Sequence, residues 1–246
     1  MNFYNAYRPK LFNEVVGQSQ ATEILKRQIL SGDVSHSLLF YGPSGTGKTT
    51  TARILAAVLN CENPVNGEPC NNCHSCQMAL TGTHWDITEL DAARYRGIDD
   101  VKELCYSAYL SPFCRRKIYI LDECHQFTEP AQSALLKLIE EPPPHLIIIM
   151  CTSAHILVKR KDSQGNEREI CLVDDTKILP TLSSRCQQFA FTKLDPECIK
   201  VKLSRICQSI GVTPDSRHLD FIAQSAGGNC RTAENTLQQV CALAVK

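Results

Sequence analysis

A chain of 246 residues exceeds one ordinary α/β domain and falls short of two large ones, so a main domain with a small appendage fits best. Apolar residues at 43% and charged residues at 21% exclude a disordered chain and leave ample material for a core. Twenty-six basic residues balance 26 acidic ones, so any nucleic-acid contact must be local rather than carried by the whole molecule.

The N-terminus, MNFYNAYRPK, lacks the apolar run of a secretory signal, and the stretch Leu146 to Cys151 is too short to span a bilayer. The expectation is a cytoplasmic protein with no membrane partner. Fourteen cysteines in such a compartment argue against disulfides. Cys105, Cys151, Cys207 and Cys241 sit singly in apolar context and read as small buried hydrophobes.

In chain order, an extended opening runs to Phe12, and apolar periodicity predicts a helix from about Ser19 to Leu30. Ser37 to Tyr41 is a short apolar run stopped by Gly42 and Pro43, which marks a strand feeding a loop. Helix follows from Lys48 to Leu59. Further strands are expected at Asp86 to Leu90, Lys117 to Leu121 and Leu146 to Cys151, the last two apolar on both faces. This alternation with helices implies a parallel sheet covered on both sides. Val158 to Lys177 is charged, contains Gly165 and Asn166, and reads as an inserted loop or hairpin. Beyond Phe191 only helices are expected, at Pro196 to Ser209, Ser216 to Ser225 and Arg231 to Ala244. The division is therefore 1–191 for an α/β nucleotide-binding domain and 192–246 for a small three-helix domain.

Gly42, Pro43, Ser44, Gly45, Thr46, Gly47, Lys48 and Thr49 fit the phosphate-loop template between a strand and a helix, with Thr50 next in the helix. Backbone N–H groups and the helix N-terminus suit phosphate oxygens, Lys48 adds a point charge, and the Thr49 hydroxyl can reach magnesium. In KIYILDECH, Asp122 and Glu123 close a buried strand, where ligands bind in such sheets. Asp122 can hold magnesium and Glu123 can activate the attacking water; a solvated acidic turn is the plainer alternative. His125 reads as a packing or hydrogen-bonding group. Cys61, Cys70, Cys73 and Cys76, spaced C-x8-C-x2-C-x2-C, offer four thiolates to a structural zinc ion and leave no coordination position open.

YRPKLFNEVVGQ, GPSGTGKT, the four cysteines, LDECH, LLKLIEEPP and LSSRC occur in that order. The set resembles the γ/τ (DnaX) family of bacterial DNA polymerase III clamp-loader ATPases. The resemblance implies an AAA+ P-loop fold with the zinc-binding insertion within 61–76 and a helical lid over the nucleotide. It places Arg8, Pro9, Val15, Val16 and Gly17 at an adenine pocket. Thr152 or Ser153 would sense the γ-phosphate; both remain open. Arg185 would be an arginine finger given in trans to a neighbouring subunit, and Arg231 the lid's sensor arginine. ATP, Mg2+ and Zn2+ are the implied cofactors. Other loader subunits, copies of itself, a sliding clamp and primed DNA held through its backbone are the implied partners, with Arg94 and Arg96 as candidate DNA contacts beside a plausible capping turn at Gly97 and Asp99.

The chain departs from the family in three places. The 158–177 segment is longer, carrying KRKD from Lys159 and the acids Asp162, Glu167, Glu169, Asp174 and Asp175, so a solvated hairpin competes with a basic arm. GGNCRTAEN surrounds Arg231 with altered neighbours. The family's helical collar domain has no counterpart in the sequence given. The expected function is a clamp-loader ATPase in DNA replication. A branch-migration or helicase-type DNA motor and a non-hydrolysing binding module are the alternatives.

Overall fold

The computed structural model describes residues 2–161 and 167–244. The opening is not wholly extended as expected: it contains helix α1 (Phe3–Ala6), started by the Asn2 side chain accepting from the Tyr4 N–H, and a single 3-10 turn at Phe12–Glu14. Helix α2 (Ser19–Ser31) follows and ends at Gly32, whose left-handed conformation stops the helix. Strand β1 (Ser37–Tyr41) then delivers the chain to helix α3 (Lys48–Asn60). Helix α4 (His74–Thr81), strand β2 (Ile87–Asp91), helix α5 (Ile98–Ala108), strand β3 (Lys117–Asp122), helix α6 (Glu129–Glu140) and strand β4 (Leu146–Thr152) continue the rhythm.

The expected insertion is a hairpin of β5 (His155–Lys161) and β6 (Glu167–Val173), antiparallel, with Lys159 opposite Glu169. Asp162, Gly165 and Asn166 of this insertion lie outside the described residues. Helix α7 (Pro180–Ser183) and strand β7 (Gln187–Ala190) return to the main sheet, and helices α8 (Pro196–Ser209), α9 (Ser216–Ser225) and α10 (Cys230–Ala244) complete the chain.

The main sheet is parallel, in the order β2-β3-β4-β1-β7. Alternate side chains point to opposite faces of a strand, and the core divides accordingly. Leu39, Tyr41, Tyr119, Leu121, Ile148 and Met150 pack with α5 and α6, while Leu38, Phe40, Ile118, Ile120, Ile147 and Ile149 pack with α2 and α3. Nearly all are fully buried, each stabilising by about 1.5–3 kcal/mol before entropy is counted. A third core, with Leu194, Ile199, Leu203, Leu219, Ile222 and Leu237, belongs to the three terminal helices. Among the described residues no helix is long and apolar enough to cross a membrane.

The strand order decides where chemistry can occur. From β1 the chain runs to the far edge, returns through β3 and β4, and crosses back to β7 on the other side of β1. Because β4 lies between β1 and β3, their C-terminal ends bring the phosphate loop, Thr152–Ser153 and Asp122–Glu123 to one edge, at the point where the strand order reverses.

Candidate functional site

A cavity of about 280 Å³ lies between the sheet edge, the N-terminal segment and the terminal helices. Its walls include Ser44, Gly45, Thr46, Gly47, Lys48, Thr49 and Thr50, the pair Asp122 and Glu123, and Arg8, Pro9, Val15, Val16 and Arg231. The sequence motifs separated by up to 223 positions thus meet on one space. Gly45 and Gly47 hold φ of 74° and 102°, where a side chain strains the backbone. At Gly45 a Cβ would also lie 1.9 Å from Asn229 Oδ1, so the loop and the lid touch there. The Cys230 N–H donates to the Gly45 carbonyl at 3.0 Å, which ties the first turn of α10 to the phosphate loop.

Lys48 Nζ donates to the carbonyls of Gly42 and Pro43, each at 2.8 Å. These two residues therefore stand behind the loop as acceptors rather than on the cavity wall. Burial lowers the Lys48 pKa, the carboxylates Glu123 and Asp122 oppose that shift, and the Arg231 charge adds to it, so the two cations sense one another. The Thr49 hydroxyl donates to Asp122 Oδ2 at 3.0 Å. Burial raises the Asp122 carboxyl, with the Thr49 hydrogen bond acting against it. These adjacent oxygens form a donor set suited to a hard cation.

Glu123 has φ 49°, one of three non-glycine residues in the left-handed region among the described residues, and its N–H donates to Asp122 Oδ1 at 3.0 Å. The turn aims its carboxylate at the end of β4, where Glu123 Oε2 accepts from the Ser153 hydroxyl at 2.8 Å and from the Ser153 N–H at 3.3 Å. Thr152 has another neighbourhood. It is fully buried, its Oγ1 lies 3.1 Å from His125 Nδ1, and it accepts from the Ala154 N–H at 3.0 Å. His125 also lies 3.3 Å from Glu123 Oε2, and burial lowers its pKa.

Besides Gly42 and Pro43, the anticipated residues Gly17, Thr152, Ser153 and Arg185 do not line the cavity, Thr152 and Ser153 reaching it only through their contacts with His125 and Glu123. Gly17 turns toward the lid, where an added Cβ would meet Leu194 Cδ2 at 2.6 Å. Arg185 is on the surface after α7, where its Nε pairs with Glu140 at 2.7 Å and Nη1 donates to the Thr181 carbonyl at 2.7 Å. Sequence reasoning missed Tyr4, Asp91, Leu194, Lys202, Cys230 and Glu234, which also line the space. Lys202 and Glu234 pair at 3.4 Å with both side chains buried. Each interrupts the apolar stripe of its helix, Lys202 beside Ile199, Leu203 and Ile206, Glu234 beside Ala233 and Leu237. Opposite charges in two facing stripes were the available signal.

The four cysteines converge separately, all sulfurs within 4.8 Å of one another and Cys61 and Cys76 fully buried. A tetrahedral zinc with Zn–S of about 2.3 Å requires sulfurs about 3.8 Å apart, and Cys70 Sγ to Cys76 Sγ is 4.0 Å. The backbone N–H groups of Cys70, Cys73 and Cys76 donate to the sulfurs of Cys61, Cys70 and Cys73 at 3.3–3.4 Å. Backbone hydrogen bonds, the Asn72 N–H first and then the Cys73 N–H, lower the Cys70 thiol to about 6. This donor set fits a metal ion. Glu68, in the same module, accepts from the N–H groups of Phe12 and Asn13 and pairs with Lys26, fastening the module to the body.

Arg94 is exposed, and Arg96 Nε donates to the Ala93 carbonyl at 3.1 Å. Gly97 is the residue before α5, and Asp99 and Asp100 occupy its first turn.

The sheet order, the phosphate loop and the helical lid define an AAA+ P-loop ATPase fold. The Thermotoga maritima RuvB Holliday junction branch migration motor shares it, with TM-score 0.64 over 96% of this chain and 65% of that one at 18% identity. Residues 17–159 match the family model described as DNA polymerase III, delta subunit, and the chain belongs to that family. It is 37% identical over 245 residues to DNA polymerase III subunit gamma/tau of Mycobacterium tuberculosis, covering 98% of this chain and 39% of the relative. The subunit tau of Bacillus subtilis is 35% identical over 237 residues, with coverages of 96% and 38%. Protein STICHEL-like 1 of Arabidopsis thaliana is 34% identical over 239 residues, with coverages of 95% and 20%. The chain thus spans at most 39% of the length of these relatives.

Proposed function

We propose that the chain is an ATPase motor subunit of a DNA clamp loader, using ATP binding and hydrolysis to open a sliding clamp and place it on primed DNA. The observation that carries this reading is the convergence of the phosphate loop, the acid pair, Arg8 and Arg231 on one cavity in a chain of the DNA polymerase III family. ATP lies with its phosphates against the N–H groups of the loop and the N-terminus of α3. Lys48 exchanges its two carbonyl partners for phosphate oxygens. Thr49 and Asp122 would hold magnesium, which supplies positive charge to the phosphates when bound. Glu123, its carboxylate oriented by Ser153, takes the proton from the attacking water. Arg8, Pro9, Val15 and Val16 face the base, Arg231 reports the nucleotide to the lid, and Arg185 completes the site of a neighbouring subunit. The four cysteines hold zinc as a structural ion.

The lid position then reports the nucleotide state, and a change in γ-phosphate contacts shifts the population of subunit arrangements. Partners on this reading are other loader subunits, copies of this chain, the clamp and the DNA backbone, with Arg94 and Arg96 exposed for the last and the cytoplasm as the compartment. ATP turnover measured with and without clamp and primed DNA, beside Glu123→Gln and Arg185→Ala, tests it. Stimulation by clamp and DNA that both variants abolish is the expected result. Turnover that ignores clamp and DNA, or strand separation by the protein, rejects the loader reading.

A further inference from the structure

Two guanidinium groups share one aromatic ring at the mouth of the cavity. Arg231 Cζ lies 4.3 Å from the centroid of the Tyr4 ring and Arg8 Cζ lies 4.6 Å from it. Arg231 Nη2 also donates to the Tyr4 hydroxyl oxygen at 2.6 Å. Bringing two like charges together costs energy, and the negative face of the ring offsets part of that cost. Among the described residues the buried Arg8 Nε and Nη1 atoms have no hydrogen-bond partner, and Nη2 donates only a long bond of 3.4 Å to Asn5 Oδ1, so the ring is the main compensation for this guanidinium.

Tyr4 itself is fastened to the lid. The Phe3 N–H donates to Gln238 Oε1 at 2.9 Å, and Lys202 Nζ donates to the Tyr7 carbonyl at 2.7 Å while pairing with Glu234. Helix α1 is thereby held at both ends by residues of α8 and α10. Arg231 departs from the first turn of α10, directly after the Cys230 N–H that bonds the phosphate loop. Its backbone is therefore anchored at the phosphate site while its charged end is drawn to Tyr4. Lys48 is in the same condition, its charge resting on two carbonyl oxygens.

We propose that Tyr4 is a positioning residue for Arg231: its ring and hydroxyl hold the guanidinium at the cavity mouth, and a bound triphosphate takes the guanidinium over in competition with them. The inference rests on the nucleotide reading above, because it needs ATP to enter this cavity. The competition has a sign. A hydroxyl that must be given up before Arg231 reaches phosphate weakens ATP binding, so its removal tightens binding, and it does so only while Arg231 is present.

The test is a double-mutant cycle on the intact chain, with Tyr4→Phe, Arg231→Ala and both together, titrated calorimetrically with ATP and with ADP in the presence of magnesium. Tyr4→Phe keeps the ring and is checked for an unchanged melting temperature. The expected result is ATP binding tighter by about threefold to tenfold in Tyr4→Phe, a change for ADP of under about twofold, and no effect of Tyr4→Phe in the Arg231→Ala background. An unchanged or weakened ATP affinity, or the same gain without Arg231, overturns the inference and leaves the nucleotide reading standing. A wild-type chain that binds no ATP overturns both.

Discussion

Ser153 donates its hydroxyl to Glu123 Oε2 at 2.8 Å, across the gap between the ends of β4 and β3. That bond separates two neighbouring hydroxyls whose roles the sequence left open. Ser153→Ala removes the donor that orients the proposed base, so kcat falls by about tenfold to a hundredfold with little change in KM. Thr152→Val instead removes a buried acceptor of the Ala154 N–H, which costs about 1–3 kcal/mol of stability. Steady-state kinetics and thermal melting of both variants check the assignment. A kinetic defect confined to Thr152→Val would reverse it.

The four-sulfur cluster yields a metal prediction. Backbone donors lower the Cys70 pKa, to about 6, which favours the thiolate form that a metal ion binds. The purified chain should carry about one zinc per molecule, and Cys70→Ser should lose most of it and melt at a lower temperature. Elemental analysis and calorimetric melting decide. Full zinc retention by Cys70→Ser would remove this cysteine from the ligand set.

His84 predicts a pH effect. It is 5% exposed, its Nε2 lies 3.0 Å from Ser75 Oγ, and its Nδ1 accepts from the Asp86 N–H at 3.1 Å. Burial lowers its pKa below the ordinary 6.5, so the folded state favours the neutral ring, whose lone pair the Asp86 N–H uses. Below pH 6.5 the unfolded chain takes up the proton first, and stability falls as pH decreases through that value. His84→Gln should therefore be less stable than wild type at pH 8 and lose less between pH 7 and about 5.5. Melting temperatures across that range measure it; parallel curves would contradict it.

The sheet strands β1, β3 and β4 were legible because strands buried on both faces are nearly continuous apolar runs, as LLFY, IYIL and LIIIMC are within them. Helices α8 and α9 were legible to the residue, because Asp195 and Asp215 cap them and apolar periodicity runs between. Strand β7 escaped. Its sequence QQFA buries only Phe189 at the sheet edge, and pairing with β1 rather than composition makes it a strand. The phosphate loop and acid pair could be read as motifs, since local backbone demands dictate their residues. Tyr4 could not, because only the tertiary approach of the N-terminal segment and the lid brings it to the cavity, and Lys202 and Glu234 announced themselves only as opposite charges set in apolar helix stripes.

Arg185 carries the strongest prediction about assembly. Its guanidinium is away from the cavity of its own chain, held by Glu140 at 2.7 Å and by the Thr181 carbonyl. An exposed pair of this kind contributes little stability, about 0–1 kcal/mol, so Arg185→Ala should fold and melt like wild type. It should also bind ATP normally, because its own cavity is intact. If the residue acts on a neighbour's nucleotide, hydrolysis by a homogeneous Arg185→Ala assembly falls by about a thousandfold or more. Mixing gives the discriminating result. Glu123→Gln supplies an arginine to its neighbour and lacks a base, while Arg185→Ala supplies a base and lacks the arginine, so a mixture of the two inactive proteins regains turnover at mixed interfaces. An arginine acting within its own chain, or only on folding, allows no such recovery, and a mixture that stays inactive while its subunits demonstrably associate rejects the shared site.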